Sequence, residues 1–285
     1  MVAFPRDARL ARSVLDSSVA RDSFPGLPRP RERILIAIAP DDRRFRDWIG
    51  PGAPEWGAAV AIPSEHRIVM QGSAAGSDAG NPMQVLRHEL AHLALHEYLG
   101  DLPSRWFDEG YASYSAGEWG RDEVLTTSVA LLMHGIPPLD SLDDEFHSTA
   151  TRAQAAYALS YRAIAVLASL DRERGLALFF RYWKERGSME TALRQAYGLT
   201  GAAFEERWRS QTTRRYGALA LAANMSVALG LTGLIIVPLY VVRLRRKRRR
   251  LAAMLAADEA AERAERESAL RAILEIGSDT PDTRA

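Results

Sequence analysis

The run Pro82-Met-Gln-Val-Leu-Arg-His-Glu-Leu-Ala-His-Leu-Ala-Leu-His-Glu-Tyr-Leu99 decides how this chain is read. Pro82 suits a first helical turn, Asn81 suits the cap before it, and Gly100 suits the stop after it. One helix over residues 82–99 is therefore expected. Inside it stands His88-Glu-Leu-Ala-His92. Residues four apart on a helix share a face, so both imidazoles can reach one ion. Glu89 lies roughly 100° around the helix from His88 and can approach the open side of that ion without binding it. The plain alternative is an amphipathic helix with two surface histidines, because the pentad alone is a common chance match.

A second stretch answers that alternative. A catalytic metal site needs three protein ligands and one open position. Trp106-Phe-Asp-Glu-Gly-Tyr-Ala112 places Glu109 17 residues beyond His92. The gap fits a turn through Gly100 and Pro103 into a second helix crossing the first, which brings a carboxylate to two imidazoles. Asp108 projects on a different side of that helix. His96 follows His92 by four, but the helical rise carries it ~12 Å from His88, too far for three bonds of ~2 Å. The chain has no cysteine, so thiolate sites, disulfides and Cys nucleophiles are excluded and any metal must use nitrogen and oxygen donors.

Upstream of this run the pattern is extended. Ile34 to Ala39, stopped by Pro40, reads as a strand. Ala58 to Ile62 and Arg67 to Gln71 read as a strand pair turning around Pro63 to His66. Downstream the pattern is helical: 104–116, 121–134, 151–170, 173–186, 189–197 and 202–216. Strands followed by helices predict an α+β domain. Trp48, Trp56, Trp119, Trp183 and Trp208 read as core or interface residues. Asp143-Asp-Glu145 reads as a solvated acidic loop. No Gly-rich phosphate loop follows a strand, and no Ser/His/Asp arrangement stands out.

His88-Glu89-x-x-His92 followed by Trp106-x-x-Glu109-Gly110-x-Ala112 resembles the gluzincin metallopeptidases, closest to the membrane-associated peptidase MA-like group related to the thermolysin and aminopeptidase N families. The resemblance is concentrated in residues 82–116 and continues weakly to about residue 216. It implies a zincin-like fold, His88, His92 and Glu109 as zinc ligands, and Glu89 as general base. Zinc would acidify a bound water and polarise a carbonyl. A second electrophile is then needed for the oxyanion. Tyr157, in Tyr157-Ala-Leu-Ser160, is similar to the Tyr-x-x-Gly helix start that carries this role in aminopeptidase N relatives, with Ser160 in place of Gly. Tyr161 is its rival. Those relatives carry Gly-x-Met-Glu-Asn before the zinc helix to hold a free α-amine. Here Gly187-Ser-Met-Glu-Thr191 falls well after it and reads as a helix end. A peptide or protein substrate cut internally is therefore expected. The family position of Arg67–Gln71 implies an edge strand able to pair with an extended peptide.

The overall balance of 37 basic and 36 acidic residues conceals segregation. Residues 217–242 hold no charge, and at ~1.5 Å per residue they suffice for a ~30 Å hydrocarbon layer. Arg243-Leu-Arg-Arg-Lys-Arg-Arg-Arg250 follows at once. That cationic flank predicts a cytoplasmic tail over residues 243–285 and a single-pass anchor in the lipid bilayer. A nucleic-acid partner is not expected. The peptidase domain, residues 25–216, would lie outside the cytoplasm. Residues 1–24 are read as an extended or incomplete segment without an apolar signal region. An upstream start, a removed signal and reversed topology stay open. The competing functional reading is an inactive, peptidase-like binding or sensory membrane protein.

Overall fold

A computed structural model describes residues 1–50, 58–75, 80–100, 103–118, 136–215 and 243. The anticipated helix over 121–134, the apolar segment 217–242 and nearly all of the tail lie outside the described residues. Among the described residues no helix is long and apolar enough to cross a membrane.

The domain is a small mixed sheet followed by helices. Its strands are β1 (Val2–Ala3), β2 (Leu35–Ala39), β3 (Ala59–Ile62) and β4 (Arg67–Gln71). Their order in the sheet is β1-β2-β4-β3. β1 and β4 each run parallel to β2, whereas β3 returns antiparallel to β4 with Val60 opposite Val69. The α+β expectation is met as a mixed sheet. One expectation is corrected: Arg67–Gln71 is an interior strand, and Ala59–Ile62 is the edge. The connection from β2 leads first to β3 at the outside, and the turn at Pro63–His66 returns the chain as β4 between β2 and β3.

Residues 1–24 depart from the extended segment expected of them. They form β1 and helix α1 (Ala8–Ala20). Val14 of α1 is fully buried with Ile36, Ile68, Met70, Leu86 and Leu93. Ile68 and Met70 alternate with Val69, which faces the other side of the sheet with Ala39 and Phe45. This is the period of two of a strand covered on both faces. Phe45 belongs to α2 (Asp42–Ile49). Each fully buried Ile, Leu or Met contributes roughly 1.5–3 kcal/mol relative to exposure.

Helix α3 spans Pro82–Leu99, the bounds read from the sequence. The Asn81 side chain accepts from the Met83 N–H, and Gly100 ends the helix at φ 76°. α3 turns Leu86 and Leu93 to the sheet, and Ala91, Ala94 and Leu95 to the helical core. That core gathers α4 (Arg105–Ala116), α5 (Leu142–Glu145), α6 (Ala150–Ala168), α7 (Ala177–Arg186), α8 (Met189–Tyr197) and α9 (201–215). Trp106 and Trp208 are buried there. Gly187 closes α7 and Ser188 caps α8, so Gly187–Thr191 is a helix junction as expected.

Candidate metal centre

α3 and α4 cross so that three side chains converge. The His88 and His92 rings meet edge-on, centroids 4.8 Å apart. Glu109 Oε2 lies 3.3 Å from His88 Nε2 and 3.7 Å from His92 Nε2. One ligand atom from each residue falls within 4.8 Å of the other two. A tetrahedral site with bonds of ~2 Å has an edge of roughly 3.3 Å, so these separations suit a small divalent ion. His96 is outside this group.

The far side of each imidazole is also held. His88 Nδ1 lies 3.1 Å from Glu118 Oε2, and His92 Nδ1 lies 2.7 Å from Asp108 Oδ1. Carboxylates only accept, so each Nδ1 carries the hydrogen and each Nε2 turns toward Glu109. This carboxylate–imidazole arrangement fixes ring orientation and raises ligand basicity. Asp108 projects away from the ligand atoms, as the sequence implied, and reaches the back of His92. Glu118 was not foreseen. It follows Gly117, where α4 ends, and helical spacing carries no signal for a residue beyond the cap.

Charge inside the cluster is mutually compensated. Burial would push His92 down, but Asp108 and Glu109 outweigh it and hold it up at about 9. Burial likewise opposes the proton on His88, which Glu109 and Glu118 nonetheless hold well above the usual imidazole range. Glu109 is pushed up by burial and pulled further down by the two histidines and Arg105, to about 2. A divalent ion must therefore displace a proton from His92 near neutral pH.

Glu89 sits beside this group, on the sheet side. Its Oε2 accepts from the Ala61 N–H of β3 at 2.6 Å. Burial pushes its carboxyl up, against the pull of His88 and His92. Ala58, Ala59, Val60, Ala61 and Pro63 form one wall of a cavity of about 470 Å³ whose floor is His88, Glu89, His92 and Glu109. The edge strand thus borders the site, and small side chains keep that wall open.

Tyr157 and Arg105 complete the far wall. Tyr157 comes close because Gly110 has no side chain: a Cβ there would lie 2.5 Å from the Ser160 carbonyl oxygen of α6. The Tyr157 hydroxyl is pushed up by burial and by Glu109, so it remains a proton donor. Tyr161 packs its ring on Tyr114 instead, 5.8 Å away, and is not part of the cavity wall. The acidic cluster is corrected: Asp143 accepts from the Arg105 and Trp106 N–H groups at 3.1 and 2.7 Å, capping the first turn of α4. A carboxylate there neutralises otherwise unpaired donors and suits the helix dipole.

Two crossed helices thus carry a half-buried His–His–Glu group that could hold a metal ion, beside the edge of a small mixed sheet. The chain belongs to the peptidase MA superfamily, whose family model matches residues 35–214. No curated protein and no solved structure matches it.

Proposed function

We propose that this protein is a zinc-dependent peptidase of gluzincin type, related to thermolysin and aminopeptidase N, and that it cuts peptide chains internally. The observation that carries this reading is the convergence of His88 Nε2, His92 Nε2 and Glu109 Oε2 beside a half-buried Glu89. A zinc ion held by those three residues would supply an acidified water and an electrophile for the carbonyl. Glu89 takes a proton from the attacking water and passes it to the leaving amine. Its elevated carboxyl favours that return step. Tyr157 donates its hydroxyl to the oxyanion from the opposite wall. The substrate lies extended along β3, whose outer edge has no strand beside it among the described residues. No Gly-x-Met-Glu-Asn stretch precedes α3 in the sequence, which favours internal cleavage.

The purified full chain should hold one zinc per molecule. Glu109→Ala should lose the metal. Glu89→Gln should keep it and lose peptide hydrolysis by on the order of 10²–10⁴-fold. Wild-type zinc content with Glu89→Gln as active as wild type on a broad peptide pool would reject the mechanism. A metal-loaded wild type that binds peptides without cutting them would favour an inactive binding or sensory protein.

The apolar segment 217–242 and the cationic run after it support a single-pass anchor, with the peptidase domain outside the cytoplasm and the tail inside. Added protease should degrade residues 1–216 in intact cells. Complete protection of that domain would reverse the topology.

A further inference from the structure

The outer edge of β3 is not uniform along its length. In an antiparallel pair, alternate residues exchange main-chain bonds with the partner strand, and the residues between them turn theirs away. The Ala58 carbonyl, just before β3, accepts from the Gln71 N–H at 2.9 Å. That contact sets the phase. Val60 and Ile62, opposite Val69 and Arg67, face β4 with their main-chain groups, and Ala59 and Ala61 turn theirs outward. Both outward residues line the metal cavity.

One of the outward donors is already engaged. The Ala61 N–H donates to Glu89 Oε2 at 2.6 Å. The side chains allow this approach. Ala59 and Ala61 turn only methyl groups to the α3 side of the sheet, whereas Val60 and Ile62 point to the opposite face with Phe45. A hydrogen bond to an ionised carboxylate is roughly twice as strong as one between neutral groups. A peptide carbonyl arriving along β3 therefore competes poorly for this donor. We propose that the Ala61 N–H is a positioning donor for Glu89 and not a rung for the substrate, so that an extended peptide pairs with Ala59 and with the Ala61 carbonyl alone. This rests on the reading of Glu89 as general base. The strand then fixes Oε2 and presents Oε1 to the attacking water. A flexible side chain held in place beforehand has less freedom to lose during reaction.

The test uses the zinc-loaded full chain and a pool of quenched fluorescent peptides. Proline removes a main-chain donor and is tolerated on an edge strand where the N–H faces away from the neighbour. Ala61→Pro should lower kcat about 10–100-fold with KM within about threefold. Ala59→Pro should raise KM about three- to tenfold and keep kcat within about threefold. Lactic acid at position 61 swaps the N–H for an ester oxygen without fixing φ. It should reproduce the kcat loss, and it decides the matter if the proline variant does not fold. Zinc affinity, measured against a chelating dye, should hold within about threefold throughout. A raised KM with unchanged kcat in the position-61 variants would overturn the proposal, since the N–H would then serve the substrate. So would unchanged kcat and KM, or an about tenfold loss of zinc affinity, since the strand would then support the metal site. Wild-type KM in Ala59→Pro would overturn the assigned pairing of the peptide. Glu89→Gln as active as wild type would remove the general-base reading beneath the proposal, a failure seen without any β3 variant.

Discussion

The hydrogens on Nδ1 of His88 and His92 are where single residues govern this site. Glu118 and Asp108 hold those hydrogens and so present both Nε2 atoms to Glu109. Glu118→Gln and Asp108→Asn should each weaken zinc binding by about 10–100-fold while leaving the three ligands in place. Competition with a chelating dye measures this, and unchanged affinity in both would show that the carboxylates only solvate the rings. The same contacts set a pH dependence. His92 is raised to about 9 from an ordinary value near 6.5. A raised basic group stabilises the fold fully below the unfolded value and loses that contribution as pH rises through the folded one. The metal-free protein should therefore melt at lower temperature as pH goes from about 6.5 to 9. Zinc affinity should rise across the same window, because the competing proton leaves. A metal-free melting temperature that is flat or rising there would contradict the charge assignment.

Among the elements, α4 is the one whose placement makes the site, and its two ends were not equally legible. The pentad of α3 and Glu109 of α4 could be read from spacing, because helical periodicity links residues within one element and a short turn restricts the next. Asp143 could not be read that way. It reaches the N-terminus of α4 from α5, and a contact between segments far apart in the chain leaves no periodic trace. The edge strand was misassigned for the same reason. Alternation identifies a strand but not its neighbours, and β4 looked like an edge until its pairing with β2 was known. Asp143→Ala should cost about 1–2 kcal/mol, as loss of a helix N-cap does. Gly110→Ala should cost about 1–3 kcal/mol, because its Cβ would meet the Ser160 carbonyl at 2.5 Å and push α6 outward. The latter should also lower turnover more than Asp143→Ala does, since α6 carries Tyr157. Thermal melts beside steady-state rates separate the two effects. Equal turnover in both variants would argue that the α4–α6 approach serves packing alone.

Across the domain as a whole, one cation adds to the apolar packing that holds the N-terminal segment on α3. The family match begins at residue 35, yet residues before it contribute a strand, a helix and core side chains. Arg87 stands next to His88 on α3. Its Nη1 and Nη2 donate to the carbonyls of Arg21 and Ser23 at 2.5 and 2.9 Å, and its Nε donates to Ser115 at 2.6 Å in the last turn of α4. Its guanidinium also lies 5.2 Å over the Phe24 ring. A cation at a helix C-terminus complements the partial negative charge there, so one side chain closes α4 and ties down the N-terminal segment together. Sequence reading passed over Arg87 because an arginine on a helix is usually a solvated charge. Arg87→Met keeps the stem and removes the donors. Leaving three carbonyls without their partner should cost about 2–4 kcal/mol, a fall in melting temperature of roughly 5–15 °C for a domain of this size. The variant should also expose the chain around residues 21–24 to limited proteolysis while zinc still protects the helical half. A variant that melts with wild type and shows no new cleavage there would mean that α1 and β1 hold the segment without this staple.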